Sequence, residues 1–518
     1  MNRLNTLNNN FIKNNLRNKN LYYEFINLAQ ENYDKIIFKQ RENNKWVPYT
    51  NKNLYYRIQD CRLFLKDNNI KKSDHIIFKG KNSVDWFVWN MASLSLGAVW
   101  IPIYHNQNID YMKHVVKDSN PDLIIYDDDD FPLKDFKKYN LHKSNVKENI
   151  DYKNIEYEHN DLSHLIYTSG TSGNPKGVML THKNLLSNID SINIRFNDLR
   201  EKNNLKTLNI LPWAHIYSLN TELYYNVLNQ NTVYLNSGPE NFLKELYDVK
   251  PDVLYLVPRV LEQVHKKLSF LDKPILKIVI PFILKKIFGE NLITIYMGGA
   301  KLHENYMNFY LENGINICEG YGTTEASPMI SVNHMESPRD LKSIGAILDN
   351  IDVKIINGEI CVSGPNVTQG YYNNQDKNNE SFLISNDKRY YKTGDAGHIK
   401  NNFLYYDGRI SNNYKLSNGK FIEVDLLEKK INNIINNPFM IYGDNRQYNI
   451  IITENLNIDD KKLINEINTI LPKYAQVKKI LNLEENSFSK FLTPKMSLKR
   501  KELIKHYHDY INKIYDIN

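Results

Sequence analysis

An α/β fold with more than one domain is expected from three observations. Short apolar runs of strand length alternate with helical stretches from about residue 36 to residue 297. Such alternation favours a largely parallel sheet covered by helices. The chain has 518 residues, beyond the roughly 250–300 at which a single core stops growing. The pattern then changes twice. After Ser343 short strands and turns replace long helices, and past Gly408 about 110 residues remain, enough for one small domain. The expected architecture is a large multi-layer α/β N-terminal domain over 21–407, with a β-rich subdomain at 343–407. A small α+β C-terminal domain follows at 408–518, and 1–20 reads as a disordered leader.

The elements follow in order. Residues 21–30 suit a helix, and 36–39 with 46–49 suit paired short strands. Residues 53–67 have helical spacing, with Leu54, Ile58, Cys61, Leu63 and Leu65 apolar. A strand at 75–79, a helix at 84–96, a strand at 98–103, a helix at 109–117 and a strand at 123–126 come next. The acidic run 127–130 closes that strand as a solvated loop, since adjacent carboxylates rarely converge on one ion. Beyond residue 200 the expected strands are 208–211, 232–236, a segment before Pro258, and 292–297. The helices between them are 219–228, 240–248, a stretch after Pro258, and 304–313.

Composition excludes several classes. Basic residues number 66 and acidic 59, spread along the chain, so the net charge of +7 makes no nucleic-acid stripe. It suits anionic ligands and allows contact with an anionic membrane surface. Cys61, Cys318 and Cys361 are too few and too far apart for a disulfide framework or a metal pattern. With no secretory signal visible, a reducing, cytoplasmic location is expected. The uncharged stretch 86–104 approaches the length of a membrane span. Asn90, Ser93, Ser95 and Gly97 make it weakly apolar, so a buried helix–strand unit is expected and no transmembrane span. The abundant Asn, Lys, Ile and Tyr read as compositional bias. Glycine is sparse, which makes each Gly-rich motif more informative.

The densest such motif is YTSGTSGNPKGVMLTH at 167–182. Gly170, Gly173 and Gly177 let the backbone approach a ligand closely. Thr168, Ser169, Thr171 and Ser172 supply hydroxyls, and Lys176 one mobile positive charge. Successive amides in such a loop form a concave anion site. The chemistry is that of a gripped polyphosphate, without the Gly-Lys-Ser/Thr of a P-loop. HLIY before the loop reads as a strand. The segment after it reads as a strand and then a helix capped by Thr181.

Further motifs follow in order: LPWAHIY, MGGA, EGYGTTEASP, GEICVSGPNVTQGYY, YKTGDAGHI and GRISNNYKLSNGK. The ordered set resembles the adenylate-forming superfamily of acyl- and aryl-CoA synthetases, luciferases and peptide-synthetase adenylation domains. LPWAHIY, PDVLYLVPRVLEQV, YKLSNGK and LTPKMSLKRKELIKHY look most like its long-chain fatty-acyl-CoA synthetase branch. The resemblance covers roughly residues 21 to 510. It implies a ligase that joins a medium- to long-chain fatty acid to ATP and passes the acyl group to coenzyme A.

The resemblance also implies roles. Thr168, Ser169, Gly170, Thr171, Ser172, Gly173 and Lys176 would hold the β- and γ-phosphates. Glu325 would ligate Mg²⁺, and Thr324 would bond the α-phosphate. Tyr321 would lie along the adenine, with Gly322 and Thr323 in the same nucleotide-binding turn. Gly298, Gly299 and Ala300 would pass the backbone beside the adenine or the acyl chain. Asp395 would accept from the ribose hydroxyls and Arg409 would reach ribose or phosphate. His215 would lie at the acyl entrance, with Trp213, Tyr217 and Tyr224 as pocket walls. The C-terminal domain would swing about Gly408 to bring Lys415, Ser417, Asn418 and Gly419 to the pantetheine tunnel. One departure stands out. Ser497 occupies the place of the family's adenylation lysine, so Lys499, or else Lys495, would supply the charge. Ile410-Ser411-Asn412 also departs from the usual charged pattern. These departures keep a non-catalytic homologue in view, beside a ligase that stops at the adenylate or loads a carrier protein.

Overall fold

The computed structural model describes residues 20–127, 137–140, 160–168, 175–202, 204–268, 277–435, 437–454, 460–492 and 498–516. The expected leader therefore lies almost wholly outside the described residues, as do 128–130 of the acidic run. The chain packs as two compact units. The first runs to Asp352 and includes Val362–Tyr391; the second comprises Val353–Cys361 and Lys392–Asn518.

The first unit is built on two sheets. One orders its strands as Gly370–Tyr371, Lys176–Thr181, Leu162–Thr168, Val99–Tyr104, His75–Gly80, Leu123–Tyr126 and Lys138–Asn140. The last five run parallel, in register Ile76↔Trp100 and Ile76↔Leu123. The other sheet holds Ala346–Ile347, Met329–Val332, Ile317–Gly322, Thr294–Met297, Val253–Leu256, Lys206–Asn209, Thr232–Leu235, Ile36–Glu42 and Lys45–Thr50. Its six central strands, from Ile317–Gly322 to Ile36–Glu42, are parallel.

Strand residues divide by parity between three cores. Ile76, Phe78 and Trp100 of the first sheet share a cluster with Phe38, Val233 and Tyr255 of the second. The helices Leu21–Glu31, Asn51–Asp67, Val84–Ser95 and His182–Arg195 contribute to that same cluster. Ile77, Val99 and Ile101 face the opposite way, onto Met112, Val115 and Val116 of the helix Ile109–Ser119. Leu208, Leu254 and Ile295 face helices at 242–310. Helix layers thus alternate with two sheets, which is why these strands read as continuous apolar runs.

The stretch that resembled a membrane span is a buried unit. Ser83 Oγ caps the helix Val84–Ser95 by accepting from the Trp86 amide at 3.0 Å. Gly97, at φ +71°, turns the chain into the strand Val99–Tyr104. Its buried serines and Asn90 find hydrogen-bond partners. Ser93 donates to Trp89 O at 2.7 Å, Ser95 to Ala92 O at 2.6 Å, and the Tyr224 hydroxyl to Asn90 Oδ1 at 2.8 Å. Among the described residues, no helix is long and apolar enough to cross a membrane.

A helix expected at 219–228 starts earlier and is a π-helix, Tyr217–Tyr224, before one α-turn at Tyr225–Leu228. Tertiary bonds hold this looser winding. Asn220 donates to Leu185 O at 3.2 Å and Ser327 O at 2.6 Å, and Thr221 donates to Tyr217 O. Glu222 is fully buried, and its Oε2 accepts from Ser218 Oγ at 2.6 Å and Asn209 Nδ2 at 2.7 Å. Burial outweighs those two bonds and raises its carboxyl to about 8.

The second unit orders Asp352–Ile356, Glu359–Ser363, Lys388–Lys400 and Phe403–Arg409 in one sheet. A three-stranded sheet of Phe439–Tyr442, Asn449–Glu454 and Val477–Leu483 follows. Ile451 points to the helices Val424–Ile431 and Asp460–Ile470. Ile450 and Ile452 point to Phe488, Phe491, Leu503 and Ile511. Packing divides the units at Tyr391/Lys392, whereas the expected pivot is a place in the chain, Gly408.

Glu222 generates a prediction. A buried acid kept neutral loses its advantage as the unfolded carboxyl ionises, so stability falls from its ordinary value of 4.5 up to about 8. Glu222→Gln removes that loss. Denaturation of both proteins across pH should show the variant gaining relative stability from about pH 5 to about pH 8, on the order of a few kcal/mol. A pH-independent difference would contradict a neutral Glu222.

Candidate active site

The Gly-rich loop joins two antiparallel strands of the first unit. Leu162–Thr168 enters it, Lys176–Thr181 leaves it, and Thr168 pairs with Lys176. Residues 169–174, hence Ser169, Gly170, Thr171, Ser172 and Gly173, lie outside the described residues. Both ends of the loop are anchored. The Tyr167 hydroxyl donates to Asp118 Oδ2 at 2.6 Å, and its ring would lie 3.1 Å from a Cβ at Gly177. Pro175 O lies 2.7 Å from His114 Nε2. As expected, Thr181 caps the next helix, His182–Arg195, in a capping box with Asn184.

Glu325 sits in the 3₁₀ turn Thr324–Ala326, directly after the strand Ile317–Gly322. The turn is tight against Pro328, whose carbonyl would stand 2.0 Å from a Cβ at Gly322. One side chain aims Glu325: the Tyr371 hydroxyl donates to Oε1 at 2.7 Å. The Tyr371 backbone pairs with Val178 on the strand that leaves the Gly-rich loop. The Thr368 amide adds a bond to Glu325 O at 2.8 Å. Burial, and then the Glu325 charge, push the Tyr371 phenol well above its ordinary range, so it remains a donor. Burial and then Lys377 lower the Lys176 ammonium, while Glu380 and Glu325 act the other way.

Thr324 is buried beside Glu325. The buried Thr323 Oγ1 has no hydrogen-bond partner among the described residues, which fits a hydroxyl awaiting a polar ligand. Tyr321 is half-buried on the same strand. Among the described residues, no group of three or more His, Cys, Asp or Glu side chains could hold a metal alone. A single carboxylate, Glu325, fits Mg²⁺ that brings its other oxygens from phosphate and water.

Gly298 and Gly299 follow the strand Thr294–Met297. The face of Gly298 is covered by the Tyr217 ring, 2.9 Å from where a Cβ would stand. Tyr217 is fixed there by donating to Tyr296 O at 2.9 Å. Gly299 takes φ +83°, and Ala300 is exposed. His215 is half-buried before the π-helix, and its Nδ1 accepts from the Tyr217 amide at 3.2 Å. Trp213 belongs to the core: it is fully buried with its ring 5.3 Å from Trp86. Tyr224 belongs there too, bonded to Asn90 and to His164 Nε2 at 2.8 Å.

The remaining candidates lie in the second unit. Asp395 is 1% exposed, and Arg409 Nε approaches its Oδ1 at 2.9 Å. The two residues face each other across the hairpin of Lys388–Lys400 and Phe403–Arg409. Arg409 also donates to Thr393 O at 3.1 Å, and its amide to Asp425 Oδ2 at 2.7 Å. Gly408 takes φ +129°, and a Cβ there would stand 2.6 Å from Asp425 Cβ. Asn412 donates to the same carboxylate at 3.0 Å. Lys415, Ser417 and Gly419 lie on a tight hairpin, with Lys415 paired to Phe421 and Gly419 at φ +80°. Lys499 precedes the helix Arg500–His506, its Nζ 3.2 Å from Glu502. Its neighbour Arg500 is committed elsewhere, donating to both oxygens of Glu428 at 2.9 and 2.7 Å. Ser497 and Lys495 lie outside the described residues.

In the first unit Thr168 pairs with Lys176, and Tyr371 links the Glu325 turn to the strand Lys176–Thr181, while Asp395 and Arg409 pair in the second. The sequence reading missed Tyr371. It stands in the quoted GYY motif, but nothing in the pattern tells which neighbour takes its hydroxyl.

A model of the AMP-binding enzyme family matches residues 26–372. The long-chain-fatty-acid–CoA ligase FadD15 of Mycobacterium bovis is 23% identical, over 77% of this chain and 75% of its own. The D-alanine–D-alanyl carrier protein ligase of Lactococcus lactis is 25% identical, over 80% and 82%. Among solved structures, the O-succinylbenzoate coenzyme A synthetase of Bacillus subtilis, in complex with ATP and magnesium ion, superimposes with a TM-score of 0.76. It covers 93% of this chain and 98% of that one at 21% identity, and so shares the fold. With the family model covering the two sheets, the Gly-rich loop and the Glu325 turn alike, the chain belongs to the AMP-binding enzyme family and has the fold of adenylate-forming ligases.

Proposed function

We propose that this protein is an AMP-forming ligase that activates a medium- to long-chain fatty acid and transfers it to coenzyme A. The observation that supports the reading is the Glu325 turn, its carboxylate aimed by Tyr371, whose backbone pairs with the strand that leaves the Gly-rich loop at Lys176. The likeness to FadD15 supports the fatty-acid class. In the first half-reaction the acid's carboxylate attacks the α-phosphorus of ATP, forming acyl-AMP and releasing pyrophosphate. In the second, the CoA thiol attacks the acyl carbonyl and AMP leaves.

Lys176 and the loop amides hold the β- and γ-phosphates, and Glu325 holds Mg²⁺. The metal supplies charge neutralisation on the phosphates when bound. Thr324 bonds the α-phosphate, where charge builds as carboxylate and phosphate meet. Tyr321 lies along the adenine, and Asp395 accepts from the ribose hydroxyls with Arg409 beside it. His215 lines the acyl entrance. Gly408 is the pivot about which 408–518 turns between half-reactions, carrying Lys415, Ser417 and Gly419 to the CoA path. Lys499 supplies the adenylation charge. The location is cytoplasmic. A second reading, transfer to a carrier protein, is favoured by the likeness to the D-alanyl carrier ligase.

Pyrophosphate release over a panel of fatty acids, with and without CoA, tests the proposal. Release with a fatty acid and CoA-dependent thioester is expected. No release with any acid overturns the ligase reading, and release without thioester overturns CoA as acceptor. Lys499→Ala should slow release about 10²-fold, the worth of one donor to a developing anion. Unchanged release would remove Lys499 from the reaction. Asp395→Asn should weaken ATP binding about tenfold or more, since hydrogen bonds to a charged group are worth ~1.5–3 kcal/mol. An unchanged ATP titration would exclude it from the ribose site.

A further inference from the structure

The first unit carries an apolar ridge that the proposed chemistry does not use. Ile278 is 74% exposed and Phe282 71%, with Val279 at 39%. Ile278 and Phe282 are two of the three most exposed large apolar side chains among the described residues. Ile278 lies in the 3₁₀ turn Lys277–Val279, and Phe282 four residues on, in the first turn of the helix Ile280–Phe288. The opposite face, Ile280, Leu284 and Phe288, is buried in the helix layer. The helix is therefore amphipathic about its core, yet its outward face begins apolar and ends basic at Lys285 and Lys286. Neither lysine forms an ion pair among the described residues. The neighbouring helix Phe242–Val249 adds Tyr247, 52% exposed, and Lys250 lies directly against Gly289. The nearby acids Glu245 and Asp248 are taken up by Arg41, at 3.0 and 2.5 Å, and Glu290 follows the helix end.

We infer that the ridge of Ile278 and Phe282, with Lys285 and Lys286 behind it, docks this protein on an anionic lipid surface. Protruding aromatic and aliphatic side chains beside exposed lysines match a bilayer interface, where apolar groups enter the acyl boundary and cations meet phosphate headgroups. A second copy of the chain fits worse. A two-fold pairing through this ridge would set the same lysines against one another, with Glu245 and Asp248 already held by Arg41.

Sedimentation with vesicles tests this with no acid or nucleotide present, so docking is read apart from catalysis. The protein should bind vesicles of phosphatidylcholine with one third phosphatidylserine, and bind pure phosphatidylcholine weakly. Binding should fall several-fold as salt rises from about 0.05 to about 0.5 M. Ile278→Ser with Phe282→Ser, and Lys285→Glu with Lys286→Glu, should each weaken it at least tenfold while leaving Tm and pyrophosphate release unchanged. No binding to anionic vesicles, or equal binding by the variants, would overturn the proposal. So would a dimer in solution that Phe282→Ser converts to monomers, which would make the ridge an interface between copies.

Discussion

One hydrogen bond ties the site of the first unit together: the Tyr371 hydroxyl to Glu325 Oε1. Tyr371 is itself paired, through its backbone, to the strand that leaves the Gly-rich loop. The segment 366–371 therefore clasps the Glu325 turn to the strand bearing Lys176. The carboxylate is thereby oriented, and its turn tied to that strand, before any ligand arrives. Groups oriented in advance cost no reorganisation when charge develops.

The layers behind the clasp serve the same end. Two sheets buried on both faces present strand ends and tight turns at fixed heights: Thr168 and Lys176 on one sheet, Met297–Gly298 and Gly322–Glu325 on the other. Between the sheets the π-helix holds Tyr217 over Gly298, with Glu222 buried behind it. A neutral carboxyl keeps its hydrogen bonds to Ser218 and Asn209 without burying a charge. The second unit repeats the device on a smaller scale, where Asp395 and Arg409 are set opposite each other by hairpin register.

Features that depend on local chemistry were legible in the sequence. The strand entering the Gly-rich loop, the Thr181 cap, and the buried 84–104 unit were all found from periodicity and capping residues. Features that depend on distant partners were not. The π-helix exists because Asn220 reaches Leu185 and Ser327, residues 35 and 107 positions away. Trp213 and Tyr224 looked like pocket walls, yet the aromatic core and the Asn90–His164 pair claim them. Arg500 follows the candidate Lys499 in the sequence, and its partner Glu428 lies 72 residues earlier. Hydrophobic pattern reports which face is buried; it carries no record of which polar groups meet.

In the proposed reaction Lys176 holds the phosphates of ATP and Glu325 the metal. Titration of ATP by calorimetry, with and without Mg²⁺, tests it most directly. Lys176→Ala should weaken ATP binding in both conditions. Glu325→Gln should leave metal-free binding near that of the unaltered protein and abolish the gain that Mg²⁺ brings. If Glu325→Gln keeps the full Mg²⁺-dependent gain, the carboxylate does not hold the metal and the account of the site fails.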